Sequence, residues 1–194
     1  MKKMYVWLFA MTLCLTACGT QQAENIQSQY AGLATAEMEA EVVCHLSEES
    51  RSFTLQCTYD RQNGATTTVT EPEELAGLTA QVSADGLTVS YQDTAFSVET
   101  LSDICPANCL PYLLNALPQG YLLSQDSEEI EGVDCCRLVL DTTGHSGEKV
   151  LCTVWVDAET LIPRYAEFAQ NDETVLTVKM QAFSCTTAEP VTEG

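Results

Sequence analysis

Apolar and polar residues alternate from residue 36 to residue 46, where Met38, Ala40 and Val42 are interleaved with glutamates. The alternation returns over residues 53–59. A period of two is the pattern of a strand with one buried face. The polar residues between the two segments predict a hairpin.

One register of this hairpin places Leu46 opposite Leu55 and therefore Cys44 opposite Cys57. Directly opposed strand residues have the Cβ separation that a disulfide requires. The pattern predicts a bond between these two cysteines, with two buried free thiols as the alternative. A second register, in which Cys136 faces Cys152 across the loop that follows residue 141, predicts another bond on weaker grounds.

The same alternation continues to the end of the chain. Asn63-Gly64 is a typical hairpin turn, and Glu71-Pro72 interrupts the pairing because proline cannot donate to a ladder. The further strands that the pattern predicts are 65–70, 78–82, 87–91, 96–98, 121–128, 133–140, 149–156, 164–168 and 174–183.

One helix is predicted, over residues 101–117, with a cap at Ser102 or Asp103. Pro111 is expected to kink or restart it. Cys105 and Cys109 are four positions apart and share a helix face, so each bonds a strand cysteine or they bond one another. The expected fold class is mainly β (α+β), an antiparallel meander with one apolar face and this single helical segment.

The N-terminus has the features of an export signal. Lys2 and Lys3 precede an apolar run over residues 4–15, which is too short for a membrane span of roughly 20 residues. The sequence Leu15-Thr16-Ala17-Cys18 is typical of a lipoprotein signal, so we expect a diacylglyceryl group on Cys18 and an extracytoplasmic, membrane-anchored protein. An ordinary secretory signal, with Cys18 unmodified, is the alternative.

This interpretation divides the chain into four segments. Residues 1–17 form the signal peptide, residues 18–30 a lipidated flexible tether, residues 31–185 one β domain, and residues 186–194 a loose tail. A short helix from Ile26 to Leu33 is the alternative for the end of the tether. The formal net charge of −20 disfavours contact with nucleic acid, whose phosphates require basic residues.

Eight cysteines remain if Cys14 leaves with the signal and Cys18 carries lipid. An even number in an exported chain favours disulfides. A thiol–disulfide enzyme that uses Cys135-Cys136, or Cys105 with Cys109, is the alternative. The disulfide candidates are Cys44, Cys57, Cys105, Cys109, Cys135, Cys136, Cys152 and Cys185.

No catalytic or metal-binding pattern emerges from the remaining residues. His45 and His145 are the two histidines, and neither has a partner at the spacing of a metal site. The segment 144–147, Gly-His-Ser-Gly, lacks the glycine spacing of a nucleophile elbow. We therefore expect no enzymatic activity, no metal and no cofactor.

The C-terminal half resembles a known family. The sequence Val-Trp-Val-Asp at residues 154–157, followed by Glu-Thr-Leu-Ile-Pro-Arg at 159–164 and two strands, resembles LolA-like proteins, which bind lipoproteins or lipids on an unclosed β-barrel. More closely, it is similar to LolA-like lipoproteins of endospore-forming Firmicutes, the group that includes GerS. The carrier LolA is soluble and eight cysteines are not general in the family, so both features are departures.

The resemblance implies a curved, unclosed antiparallel sheet whose concave face is covered by the helical segment. It also implies a non-enzymatic binding module for an apolar ligand, such as a lipid or acyl chain, or for an envelope protein. Five aromatic residues are predicted to line a groove on the concave face, with a filled core and a purely structural lipoprotein as the alternative. These residues are Phe53, Tyr91, Tyr112, Trp155 and Phe183.

Overall fold

The structure is a computed structural model that describes residues 17–45, 49–83, 86–98, 104–142 and 150–188. Eleven strands form a single antiparallel sheet. In chain order β1 to β11 are Leu33–Cys44, Arg51–Asp60, Gly64–Glu71, Thr79–Ser83, Gly86–Tyr91, Thr94–Val98, Tyr121–Ile130, Val133–Asp141, Val150–Asp157, Pro163–Gln170 and Glu173–Thr187.

The strand order is β6-β5-β4-β3-β2-β1-β11-β10-β9-β8-β7. The sheet is therefore not closed into a barrel, and β6 and β7 are its two edges. Within the described residues the fold also has two α-helices, α1 (Ala17–Ala31) and α2 (Cys109–Gln119), and a 3₁₀ turn at Glu73–Leu75. We call the face on which the helices pack the inner face and the opposite one the outer face. This architecture confirms the predicted mainly β, unclosed sheet.

Strand β1 has the alternation that its sequence predicts. Met38, Ala40 and Val42 are buried on the inner face, whereas Glu37 and Glu41 are exposed. The apolar side chains gain by leaving water while the carboxylates stay solvated. The period of two thus fixes which face of the strand meets the helices.

The hairpin predicted at Asn63-Gly64 is confirmed between β2 and β3. Gly64 has φ +92°, a left-handed conformation that favours glycine. A Cβ atom here would lie 2.1 Å from the carbonyl oxygen of Val82. Glycine is therefore required both by the turn and by the close approach of β4.

The predicted helix over residues 101–117 is shorter and lies further along the chain. Residues 101–103 lie outside the described residues, and a turn closed by the Cys105 N–H and Asn108 Oδ1 (2.8 Å) precedes α2. Pro111 does not kink the helix, contrary to expectation. It lies in the first turn, where its missing N–H has no helical acceptor.

The segment 18–30 is not a flexible tether, because α1 occupies it. Ala23, Ile26 and Tyr30 follow the i, i+3, i+7 spacing of one helix face and are almost completely buried. Gln27 Nε2 donates to the carbonyl of Gly120 (3.0 Å). Packing against the sheet and α2 therefore makes α1 part of the domain.

The C-terminal tail also begins later than predicted. Thr186 and Thr187 belong to β11, where they pair with Thr35 and Leu33, and residues 189–194 lie outside the described residues. The predicted signal segment 1–16 lies outside them too. None of the helices in the described part of the chain is long and apolar enough to cross a membrane.

Candidate binding surfaces of the sheet

The two helices fill the centre of the inner face. Leu110, Leu113 and Leu117 of α2 and Ile26 of α1 have no exposed surface. Their side chains share one core with the inner residues of β1, β2, β8, β9, β10 and β11. Since protein cores are close-packed, this part of the inner face is a filled interior and not an open groove.

Tyr112, one of the five predicted groove residues, belongs to this core. Its hydroxyl contacts the carbonyl oxygen of Thr142 at 2.9 Å and the Thr142 hydroxyl at 2.8 Å. Its ring meets Phe168 edge-on, with centroids 5.7 Å apart. Burial raises the pKa of Tyr112. The hydroxyl of Tyr112 therefore has its hydrogen-bond partners within the protein, which agrees with the alternative in which the groove is filled.

Phe53 and Phe183 are also on the inner face and pack against the core. The ring of Phe183 lies 6.3 Å from that of Tyr30, whose hydroxyl donates to the carbonyl of Leu161 (2.8 Å). Burial raises the pKa of Tyr30. Helix α1, whose residues are predicted from the sequence to form a tether, therefore covers the aromatic surface near Phe183.

Cover by the helices ends before the β6 edge. A row of paired residues crosses the inner face in the order Cys57, Thr67, Ala80, Val89 and Phe96. Ala80 is 1 % exposed and Val89 is half-buried, whereas Phe96 is 68 % exposed. The inner face thus stays apolar after the helices stop covering it.

We call this uncovered region the apolar shelf and define it by four inner-face residues, Val82, Val89, Tyr91 and Phe96. The Tyr91 hydroxyl donates to the carbonyl of Glu74 (3.2 Å), which leaves the ring on the shelf. Of the five predicted groove residues, Tyr91 alone belongs to the shelf. The alternation marks Phe96 as apolar. It was not predicted as a groove residue because the sequence does not reveal that its strand is an edge.

Trp155 lies on the outer face, so its assignment to the concave groove was wrong. Its Nε1–H donates to Glu128 Oε2 (2.9 Å), the Arg137 guanidinium lies 5.5 Å from the ring centre, and Tyr165 packs at 5.3 Å. In β9 the side chains of the residues directly before and after Trp155 point to the inner face. An outer-face cluster of aromatic and charged side chains therefore holds the indole.

The predicted Cys44–Cys57 pairing is wrong in register. Cys44 pairs with Arg51, and Cys57 pairs with Met38. Both cysteines keep the predicted inner face, but they lie at different heights along the hairpin. Strand geometry therefore does not place them at disulfide distance.

The Cys136–Cys152 pairing is wrong for the same reason. Cys136 faces Val156, and Cys152 faces Leu140. The free thiols in the structure include Cys44, Cys57, Cys109, Cys135, Cys136, Cys152 and Cys185.

Cys105 and Cys109 occupy one turn, since the Cys109 N–H donates to the Cys105 carbonyl (3.0 Å). Cys57 and Cys105 both lie close enough to Cys109 to raise the pKa of its thiol, in addition to the effect of burial. A bond from the helix to a strand cysteine stays a prediction.

Burial is the main cause of the raised pKa of the thiols on the inner face. It raises the pKa of Cys57 to about 11 and that of Cys136 to about 11. It raises the pKa of Cys109 and Cys152 as well. Because the thiolate is the nucleophile in disulfide exchange, a raised pKa makes each of these thiols less reactive near neutral pH.

We expect iodoacetamide at pH 7.5 to label exposed Cys185 well before Cys57, Cys109 and Cys152. The pKa of Cys185 is also raised by partial burial, but the side chain is accessible. Peptide mass mapping of native and denatured samples measures the order of labelling. Samples denatured with and without reductant, compared in parallel, count any disulfides. Fast native labelling of Cys109 or Cys136 would contradict this prediction and favour the redox alternative.

His45 has a local partner. Its Nδ1 lies 3.0 Å from the hydroxyl of Ser50 at the exposed end of the first hairpin. His145 lies outside the described residues. Within the described ranges, no group of three or more His, Cys, Asp or Glu side chains is placed to hold a metal ion.

Comparison of the whole fold with solved structures finds similar proteins. A putative outer membrane lipoprotein-sorting protein domain from Vibrio parahaemolyticus is 12 % identical with a TM-score of 0.51, covering 90 % of this chain and 95 % of that one. The fold is LolA-like. A LolA superfamily protein from Nitrosomonas europaea is 13 % identical with a TM-score of 0.48, covering 86 % and 94 % of the two chains. No protein-family model matches the sequence, and no curated protein matches it.

The LolA-like fold confirms the resemblance inferred from residues 154–164. A third structure, the GerS lipoprotein of Clostridioides difficile in complex with the CwlD amidase, is 18 % identical with a TM-score of 0.38, covering 83 % of this chain and 92 % of that one. In the present LolA-like chain, the helices fill the middle of the inner face and leave the apolar shelf at one side.

Proposed function

We propose that this protein is a lipid-anchored, extracytoplasmic binding module that holds an apolar ligand, such as an acyl chain, on the apolar shelf. The observation that carries the proposal is the exposure of Phe96 at the end of a row whose exposure increases from buried Ala80 through half-buried Val89. Exposed apolar side chains that form a continuous surface are typical of interaction sites. The LolA-like fold supports this choice because the proteins that it resembles include a domain described as lipoprotein-sorting.

The charge distribution favours an apolar ligand over an anionic one. The four shelf residues carry no charge, whereas the chain as a whole has a formal net charge of −20. A field of this sign repels phosphate and nucleic acid but does not oppose a hydrocarbon chain. Specificity then comes from shape and from the length of chain that the shelf accommodates.

The thiol–disulfide alternative has less support. A catalytic cysteine of that class needs an accessible thiol with a lowered pKa. Burial instead raises the pKa of Cys57, Cys109, Cys136 and Cys152. We therefore propose a structural role for these four residues.

Ligand binding is tested with the mature chain exported behind a cleavable signal, with Cys18→Ser so that no lipid is attached covalently. Native mass spectrometry followed by organic extraction is expected to detect a bound acyl lipid. A dansylated fatty acid then measures affinity. We expect Phe96→Ser to weaken it by about tenfold, since burial of a large apolar side chain contributes about 1.5–3 kcal/mol and 1.4 kcal/mol is tenfold.

Tyr121→Ser is the matched control, because Tyr121 is an exposed aromatic residue at the opposite edge. Its affinity for the probe should equal that of the unmodified chain. A bare mass together with no probe binding would leave the purely structural lipoprotein as the better hypothesis. An equal loss in both variants would show that the probe adsorbs without using the shelf.

A further inference from the structure

The β7 edge carries a second exposed apolar surface. Tyr121 is 74 % exposed and Leu123 is 49 % exposed. They are the first and third residues of this edge strand. A register irregularity between Leu122 and Ser124 leaves Leu123 without a ladder partner. A bulge of this kind re-aims a side chain, and here it leaves Leu123 beside Tyr121 in solvent. We call Tyr121 and Leu123 the edge pair.

Helix α1 runs towards this pair. Near its C-terminal end Tyr30 contacts Phe183 of the central strand β11. One turn earlier Gln27 hydrogen-bonds the carbonyl of Gly120, the residue before Tyr121. The helix also contacts β7 and β8. Followed backwards along the chain, α1 therefore crosses the inner face from the centre of the sheet to the β7 edge.

The predicted lipid attachment point lies at the far end of the same helix. From Gln27 the helix continues to Cys18, about 14 Å away at about 1.5 Å per residue. Residues 1–16, which precede α1, lie outside the described residues. A lipid on Cys18 would therefore bring the bilayer surface to the side of the molecule on which the edge pair is exposed.

Charge along β7 is segregated in a way that suits contact with a bilayer. Residues 121–125 are uncharged, whereas Asp126, Glu128 and Glu129 follow in the second half of the strand. Carboxylates are repelled by anionic headgroups, but tyrosine is enriched at membrane interfaces because its ring is apolar and its hydroxyl is wet. Gly120 and α1 lie next to this uncharged end of β7.

We infer that the edge pair rests on the bilayer surface beside the lipid anchor. The inference relies on the anchored protein of the proposed function and adds the orientation of the domain. β6, which carries Phe96 of the apolar shelf, is the other edge of the sheet in strand order. The inference places β7, and not the strands of the shelf, on the membrane, and leaves the shelf for ligands or partners from the envelope.

The test uses the full lipidated protein in phosphatidylcholine vesicles, with plain or brominated acyl chains. Tyr121→Trp places a fluorescent reporter at the edge pair. We expect about twofold lower emission in brominated vesicles, because interfacial groups lie about 5–10 Å into the headgroup–acyl boundary, where bromine quenches. Ser52→Trp, at an exposed position on the outer face of β2, is the control and should not be quenched. Trp155 contributes the same background to every sample.

Flotation of each sample with its vesicles separates the two hypotheses. Flotation together with quenching of Tyr121→Trp alone supports the inference. Flotation with equal quenching at both positions, or with none, overturns the orientation while the anchor stands. Absence of flotation would overturn the anchor and the orientation together.

Discussion

Phe168→Ala lowers the free energy of unfolding by about 3–5 kcal/mol, the range for phenylalanine truncated in a packed core. Phe168 has no exposed surface and contacts Tyr112 of α2 edge-on. The loss therefore includes the transfer of the ring, the cavity that it leaves, and a ring–ring contact. No other element can move into the space easily, because the fully buried side chains of α2 and the sheet already surround it.

Phe96→Ala is the matched control, since the same atoms are removed from a residue that is 68 % exposed. We expect the free energy of unfolding of this variant to differ from that of the unmodified chain by less than about 1 kcal/mol, because truncation of an exposed ring removes few packing contacts. Guanidinium unfolding monitored by the fluorescence of Trp155 measures both. Equal losses in the two variants would mean that the helices do not seal the inner face as described.

Ile26→Ala lowers the free energy of unfolding by about 2–5 kcal/mol, as for other buried aliphatic truncations. The side chain is fully buried between α1 and the rest of the core. The effect would be near zero if residues 18–30 were a flexible tether. This substitution therefore distinguishes an integral helix from a linker that only connects the domain to its anchor.

Asn25→Ala, at the exposed neighbouring position of α1, provides the control and should change stability by less than about 0.5 kcal/mol. Both variants are compared in the same denaturant titration of the mature chain with Cys18→Ser. A small effect of Ile26→Ala, together with rapid hydrogen exchange of the α1 amides, would return the segment to the tether hypothesis.

The faces of the two strands of the first hairpin could be predicted from the sequence, whereas their register could not. A shift by an even number of residues keeps every side chain on its own face. In the first hairpin Cys44 pairs with Arg51 instead of Cys57, a shift of six positions along β2. The alternation is unchanged by such a shift, so it carried no information about which cysteines are opposed.

Helix α1 was predicted only as a possible short helix over residues 26–33, because its buried face is narrow. Three apolar residues, Ala23, Ile26 and Tyr30, form that face among polar neighbours. An isolated helix of this composition is marginal in water, and it forms here because packing in the domain stabilises it. The spacing was present in the sequence, but the surface against which it packs is assembled from distant strands.

The candidate site depends on the order of the strands. The sequence marks Phe96 and Phe53 equally as apolar members of predicted strands. Their different surroundings follow from the position of each strand, at an edge for Phe96 and inside the sheet for Phe53. Strand order is a property of the whole chain, so no local pattern distinguishes a core phenylalanine from one that faces a ligand.

The pairing of β1 with β11 has a consequence for the time course of folding. Thr35 and Thr186 meet at 2.7 Å although 151 positions separate them, whereas the other neighbouring strands are consecutive along the chain. Loop-closure entropy opposes such a distant contact, so we expect each meander, β1–β6 and β7–β11, to gain structure before the two join. If the chain is exported as proposed above, β1 emerges before β11 and exposes an unpaired edge until β11 follows, which is a hazard for aggregation. The pairing of β11 with β1 is then the step that joins the two meanders into one sheet.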